Sequence, residues 1–326
     1  MNATARAYWA VAPGQGEIRE EALPEVRSGH LLIRARYSGV SRGTEALVAQ
    51  GLVPASEHET MRAPHQAGAF PFPVKYGYAS VGVVEAGPDA VIGREVFCLY
   101  PHQTRYVVPA TAVVPLPEGV PAARAVLGAN METALNAVWD GGAAPGQRIV
   151  VVGCGVVGAL IAWLCGRLPG AEVCVTDINP ERAAIAQRLG VGFALPEHVP
   201  AAADLVFHAS GSAAGLRNAL ALAGREARIV EVSWYGAREV GLPLGAAFHS
   251  RRLVLMSSQV GEVAAAMRPR WPHARRLAKA LELLREPCLD GLVAAEATFA
   301  QLPDVLPRLA ADPAGALAVR IVYPGT

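Results

Sequence analysis

The sequence predicts an α/β protein in which a mainly-β part accompanies a doubly wound parallel sheet, and three observations carry that prediction. Residues 1–117 break into short Val-, Ile- or aromatic-bearing runs bounded by Gly or Pro. From about residue 148 apolar strand-like runs alternate with helix-like ones, the rhythm of parallel strands buried on both faces. At the first strand–helix junction the glycines take the spacing of a phosphate-binding turn.

Length and composition bound the answer. At 326 residues the chain is roughly twice the ~150-residue prior for one domain, so two domains are expected. The formal net charge is +1, from 29 basic and 28 acidic residues, which gives no electrostatic footprint for nucleic acid or an anionic membrane. Hydrophobic residues make up 52% and charged ones 17%, which excludes a disordered chain. The five cysteines form no C-x-x-C pair, so buried thiols in a reducing cytoplasm are expected rather than a disulfide framework. No apolar leader with a cleavage site is read at the N-terminus. One stretch, Ile149 to Gly166, runs 18 residues without a charge, long enough to raise the question of a membrane span.

The elements follow in order. Strands are expected at Ala5–Ala12, His30–Tyr37, Val81–Glu85, Glu95–Leu99 and Arg105–Val108. Between them Leu52–Pro73, rich in Pro and His, reads as a long loop of the kind used as a lid or left disordered. Then come the strand RIVVVG, a helix over Val156–Leu168, the strand GAEVCVTD, and a helix with Pro180 near its first turn and Gly190 as its stop. DLVFHASG and ARIVEVS are strands around a helix over Ser212–Ala223, and RLVLMSS is the last strand of this series. An Arg-rich amphipathic helix, Pro272–Arg285, precedes a return to short strands ending in AVRIVYP. The implied domains are 1–117 with 260–326, and 118–259.

Gly153-Cys154-Gly155-Val156-Val157-Gly158 matches G-x-G-x-x-G between a strand and a helix, with Asp177 standing 19 residues beyond Gly158 at the end of the next strand. The first Gly permits the turn, the second lets backbone approach a pyrophosphate, and the third lets helix and strand pack. Asp177 would accept hydrogen bonds from ribose hydroxyls and repel a 2′-phosphate, which favours NAD(H) over NADP(H). Arg182, close by in sequence, could instead pair with such a phosphate. The competing reading is an ordinary Gly-rich turn. As a strand, turn and helix, the uncharged run is expected to be buried in protein rather than in lipid.

With these motifs the chain resembles the medium-chain dehydrogenase/reductase family over nearly its whole length. Within it, YSGVSRGTE (Tyr37–Glu45), FPFPVKYGYASVGVV (Phe70–Val84) and SRRLVLMSSQVG (Ser250–Gly261) resemble a zinc-less subgroup, that of bacteriochlorophyllide a hydroxyethyl dehydrogenase. The resemblance implies a GroES-like catalytic domain that cradles a small-molecule substrate against the nicotinamide of a Rossmann domain. It also implies cofactor contacts at Thr133, Ser210, Gly211, Ser257 and Ser258, and a homodimer joined through the nucleotide-binding domain along RLVLMSS.

The departures concern metal. Where zinc members of the family place two cysteines and a Gly-His-Glu segment, this chain has Ser41, Ala129 and Gly77-Tyr78-Ala79, none of which supplies a zinc ligand. Only CLYPHQT stands where the four-cysteine lobe would be. Catalytic zinc is therefore not expected, and a fallback set of Glu57, His58 and His65 fits no standard site.

Without zinc, a carbonyl or alkoxide still needs a donor. Ser41 and Tyr78 occupy the former ligand positions; Tyr78 is the first candidate for hydrogen-bond donor or proton relay, or a phenol that fills the vacated cavity. Glu45 is a candidate general acid/base, an orienting partner for Arg42 or a structural ion pair, and Lys75, one of two lysines, is a further candidate or a solvated side chain. Three functions stay open. The first is a zinc-independent NAD(H) oxidoreductase interconverting a secondary alcohol and a ketone on a bulky, largely apolar substrate. The second is an NAD(P)H-dependent enone or quinone reductase. The third is a nucleotide-binding redox sensor or scaffold without turnover.

Overall fold

The computed structural model describes residues 4–311 and 317–325. In chain order the strands and helices are β1 (Thr4–Ala12), β2 (Gln15–Ala22), β3 (His30–Val40), α1 (Arg42–Ala49), β4 (Ala67–Gly68), β5 (Val74–Lys75), β6 (Ser80–Ala86), β7 (Glu95–Cys98), β8 (Arg105–Pro109), β9 (Val113–Pro115), α2 (Ala122–Ala125) and α3 (Gly128–Gly141). They continue as β10 (Arg148–Val152), α4 (Val156–Cys165), β11 (Glu172–Thr176), α5 (Ala183–Leu189), β12 (Gly192–Ala194), β13 (Ala203–His208), α6 (Ala213–Leu222), β14 (Ala223–Glu231), β15 (Val254–Ser257), α7 (His273–Leu283), β16 (Val293–Thr298), α8 (Leu302–Ala311) and β17 (Ala318–Val322).

Two compact units divide this chain: Met1–Ala129 with Leu281–Glu286 and Val293–Thr326, and Asn130–Ala280 with Pro287–Leu292. The first unit is mainly β. One sheet runs β2-β1-β5-β4, and a larger one runs β16-β17-β3-β6-β7-β9 with β8 also paired to β3. The strands expected in this half form, while β2 does so on a sequence that reads as polar. It is a sheet edge, half-exposed along most of its length, where Glu and Arg keep the outer face in water. The Leu52–Pro73 segment is not structureless. Ala55–Glu57 forms a 3-10 turn, Val53 and Phe70 are buried, and His58 hydrogen-bonds the Val53 carbonyl at 3.2 Å.

The second unit holds a six-stranded, wholly parallel sheet in the order β12-β11-β10-β13-β14-β15. Counted along the unit this is 3-2-1-4-5-6, the doubly wound order, and the sequence direction reverses between β10 and β13. Ile149 to Val152 are buried, as are Ala159 to Trp163 and Cys165 on α4. A helix that is apolar all round lies in protein on every side, which accounts for the uncharged run. Among the described residues no helix is long and apolar enough to cross a membrane. α4 ends at Cys165, with Gly166 as its cap, so the expected extension to Leu168 is a turn. Gly190 ends α5 at φ +75°, in the left-handed region that favours glycine.

The unit boundaries differ from the joints expected at 117/118 and 259/260, and side-chain anchors show why. Arg124 on α2 donates to the Leu284 and Arg285 carbonyls within the first unit. In the second unit buried Arg276 on α7 reaches Glu132 at 3.0 Å and Asn136 at 2.7 Å, both on α3, as well as the Glu262 and Val260 carbonyls. Asn136 in turn accepts from the Ala264 N–H. The 260–280 segment is thereby fastened to α3.

Burial outweighs the guanidinium's pull and holds the Glu132 carboxyl above its ordinary range. Removing one partner strands the other charge, so Glu132→Ala should cost about 3–5 kcal/mol in urea denaturation. A carboxyl that binds its proton more tightly folded than unfolded adds stability below its ordinary value and loses it as pH rises through the folded one. Glu132→Gln lacks that loss. Its stability relative to the parent should therefore improve from pH 4 to pH 7, and an unchanged difference would contradict the shift.

Candidate functional site

In the second unit the glycine turn joins β10 to α4 at the reversal of strand order. Gly153 has φ +104°, and a Cβ there would lie 2.7 Å from the Ser210 backbone. A Cβ on Gly158 would lie 1.9 Å from the Gly153 carbonyl oxygen, so this position has no room for a side chain. Gly155 is different. Its φ of −73° suits any residue, and a Cβ would meet nothing within 4 Å. The fold does not need a glycine at 155, whereas a ligand approaching the backbone does. The first N–H to bond back along α4 belongs to Ala159, which reaches the Gly155 carbonyl at 2.8 Å. The preceding amides of Val156, Val157 and Gly158 form the open amino end of the helix, suited to phosphate oxygens.

Asp177 sits at the end of β11 against this turn. One carboxylate oxygen accepts from the Cys154 N–H at 2.8 Å and the other from the Asn179 N–H at 2.9 Å. Burial first, and Asp177 second, push the Cys154 thiol up to about 12, while Arg182 opposes them, which places a cation in the same neighbourhood. Ser210 and Gly211 follow β13, and Ser257 ends β15; both are strands of the parallel sheet, and these residues lie at its carboxyl edge. Ser258 donates to Asp140 at 2.7 Å. Thr133 lies on α3, half-buried. These residues and the turn fit a dinucleotide.

In the first unit, Ser41 is the N-cap residue of α1, and Glu45 in its first turn accepts the Ser41 backbone N–H at 2.8 Å. The other Glu45 oxygen lies 2.8 Å from His102 Nε2, both residues being buried. His102 Nδ1 lies 2.7 Å from the Ser38 hydroxyl, which is 3.0 Å from the Tyr323 hydroxyl. Tyr78 completes the group. Burial, then the Glu45 charge, push its phenol up to about 12, against hydrogen bonds from the Ser41 and Thr44 side chains that pull it down. Tyr78 thus stays protonated through neutral pH.

Rings extend from this cluster. Tyr76 meets Tyr78 edge-on at 5.9 Å and Phe70 at 5.7 Å, and Phe70 meets His58 at 5.7 Å. Separately, Tyr100 stacks on Tyr106 at 3.9 Å and packs against His65 at 5.2 Å.

Three of the four proposed chemical residues, Ser41, Glu45 and Tyr78, thus come together, and Lys75 does not join them. Its ammonium is buried between Glu21 at 2.6 Å and Gln103 at 2.8 Å, beside the Trp9 ring, so it is a structural ion pair rather than a solvated or catalytic lysine. Glu57, His58 and His65 go to separate partners, and among the described residues no three His, Cys, Asp or Glu side chains could hold a metal ion. At the positions that the resemblance assigns to zinc ligands, Ser41, Tyr78 and Ala129 bring only hydroxyls and a methyl group.

Sequence reasoning missed His102, Thr44 and a second cluster of His208, Glu231 and Tyr235. His102 lies in CLYPHQT, where cysteines were sought. Its signal is Gly77: with φ +127°, a Cβ there would stand 2.9 Å from the His102 ring.

No family profile matches the chain. The chain is 30% identical over 142 residues to a 2-dehydro-3-deoxy-L-galactonate 5-dehydrogenase of Pseudoalteromonas atlantica, an alignment that spans 40% of this chain and 41% of that protein. Against a D-guloside 3-dehydrogenase of Escherichia coli the identity is 24%, over 90% of this chain and 93% of the relative. Among solved structures, L-idonate 5-dehydrogenase from Escherichia coli superposes with a TM-score of 0.79 at 16% identity, over 99% of each chain. A zinc-binding dehydrogenase from Sinorhizobium meliloti bound to NADP gives 0.77 at 16%, over 98% of this chain and 99% of that one. An alcohol dehydrogenase from Escherichia coli complexed with NADH gives 0.77 at 17%, with the same coverage. The chain has the two-part fold of these dehydrogenases, a GroES-like unit and a Rossmann unit.

Gly77→Ala should force the His102 ring off Glu45 and impose a strained φ. A loss of about 1–3 kcal/mol in thermal denaturation is expected, and an unshifted midpoint would show that the ring does not depend on glycine.

Proposed function

We propose that the chain is a nicotinamide-dependent oxidoreductase that interconverts a secondary alcohol and a ketone without zinc. NAD(H) is its preferred cofactor, and its substrate is a bulky, largely apolar small molecule. The observation that carries this reading is the Tyr78–Ser41–Thr44 hydroxyl cluster backed by Glu45 and His102, in which Ser41 and Tyr78 hold positions that the resemblance assigns to metal ligands. The likeness of Tyr37–Glu45 and Phe70–Val84 to a zinc-less subgroup supports it, as does the zinc-poor chemistry of Ser41, Tyr78 and Ala129. The rings around Tyr78 support an apolar substrate, and the five cysteines, all free thiols, suit a reducing cytoplasm.

Gly153, Gly155, Val156, Val157 and Gly158 would hold the pyrophosphate, and Asp177 the adenosine ribose, while Thr133, Ser210, Gly211 and Ser257 lie where further contacts are expected. When bound, the nicotinamide supplies the hydride chemistry. The chain's own residues manage the proton. A phenol held near 12 donates a hydrogen bond to a carbonyl oxygen and can release its proton to an alkoxide of higher basicity. Ser41 and Thr44 aim that phenol. Glu45 acts through Tyr78 rather than on substrate: after burial, the larger cause, its charge adds to the upward push on the phenol, and His102 and the Ser41 amide fix its position.

Asp177 carries the preference for NAD(H), and Arg182 is the residue that could relax it. The resemblance further supports a homodimer through β15, the edge of the parallel sheet, where Val254 is exposed. Light scattering at the mass of a single 34.1 kDa chain would overturn that part.

Two variants separate cofactor from proton. Gly155→Ala should leave the melting temperature unchanged and weaken NADH binding at least about tenfold by fluorescence titration, equivalent to ~1.4 kcal/mol. Tyr78→Phe should leave NADH binding intact and lower kcat about 10²–10⁴-fold. The panel for turnover is NADH oxidation with ketones, enones and quinones before and after chelation. Oxidation by ketones that survives chelation supports the reading, and oxidation by enones or quinones alone would move the reaction to C=C or quinone reduction. Tight NADH binding with no oxidation would make the chain a nucleotide-binding sensor. One bound zinc whose removal ends turnover would overturn the zinc-free mechanism.

A further inference from the structure

A second constellation lies in the Rossmann unit, outside the proton cluster. Ser210 follows β13 and is exposed, and its Oγ lies 2.6 Å from Nε2 of fully buried His208. His208 Nδ1 lies 2.9 and 2.8 Å from the two oxygens of Glu231 on the neighbouring strand β14. Glu231 is itself held by the Ser233 N–H at 2.7 Å and the Tyr235 hydroxyl at 3.0 Å. With the carboxylate accepting from Nδ1, the imidazole turns the lone pair of Nε2 toward the serine. A hydroxyl on an exposed serine, a buried base in hydrogen-bond reach and a carboxylate orienting that base are the geometry of an activated nucleophile. Gly215 keeps the contact clear: a Cβ there would lie 2.3 Å from Ser210 Oγ and 2.8 Å from His208 Nε2. α6 begins three residues after Ser210, and its amino end adds partial positive charge for a developing oxyanion.

We propose that Ser210, His208 and Glu231 form a nucleophilic triad that hydrolyses small carboxylic esters. Ser210 Oγ bonds to the ester carbonyl carbon as its proton passes to His208 Nε2. The carbon–alkoxy bond breaks, and the alcohol leaves with that proton. Water then attacks the acyl-serine, gives one proton to Nε2, and releases the acid as Ser210 recovers its hydrogen. No oxidant or reductant is involved, so the activity does not depend on the dinucleotide reading. Gly153 abuts the Ser210 backbone, however, so a dinucleotide seated at the turn would shield the serine.

The test uses the full chain, first without NADH. p-Nitrophenyl acetate hydrolysis is followed by absorbance, and a fluorophosphonate is used to label the nucleophile, forming an Oγ–P bond with loss of fluoride, with the labelled peptide identified by mass spectrometry. Labelling at Ser210, with hydrolysis lowered at least about a hundredfold in Ser210→Ala and lowered in Glu231→Gln, supports the triad. A chain that takes no label at Ser210, or a Ser210→Ala variant as fast as the parent, overturns it. Labelling at Ser210 that saturating NADH slows supports both the triad and the dinucleotide placement. Labelling that ignores NADH supports the triad and counts against the placement.

Discussion

The polar centre of the first unit is a carboxylate and an imidazole that meet away from water. Glu45 and His102 are 57 positions apart, one in the first turn of α1 and the other in the segment after β7. Two such groups are costly to bury unless every remaining lone pair and proton is used. Here both find a further partner: Glu45 also takes the Ser41 amide, and His102 also meets Ser38, which meets Tyr323 after β17. One polar chain thus ties the start of a helix, the middle of the larger sheet and the chain's last strand. The phenol of Tyr78, raised first by its own burial, feels the Glu45 charge of that chain as a second push.

The Rossmann unit handles polar burial in the same way. Asp177 takes one backbone amide from the glycine turn and one from Asn179, two residues on, and Arg276 holds four acceptors in one planar fork. In each case the charged group spans segments far apart in sequence. Such groups add specificity more than raw stability, because only one arrangement of the segments satisfies them all.

What the sequence made legible was local. Gly153 to Gly158, Asp177, Gly190 and the apolar strands announce themselves within about 25 residues, because turn geometry, helix termination and strand burial are short-range demands. The placement of Ser41 and Tyr78 was legible through resemblance. Lys75 was misjudged because its partners, Glu21 and Gln103, lie 54 and 28 positions away. His102 and His208 were passed over for the same reason, since a histidine's role is set by what faces it in space. Gly77 was the one local trace, a glycine at a position no turn signal explains.

Gly77 also constrains how this protein can change. The ring of His102 occupies the volume that a side chain at 77 would take, and φ +127° excludes other residues in any case. The coupling runs one way: the His102 ring and the backbone conformation each demand glycine at 77. On the reading proposed above, a lone imidazole at 78 would not complete a metal site, since the positions that the resemblance assigns to the other ligands, Ser41 and Ala129, offer only a hydroxyl and a methyl group.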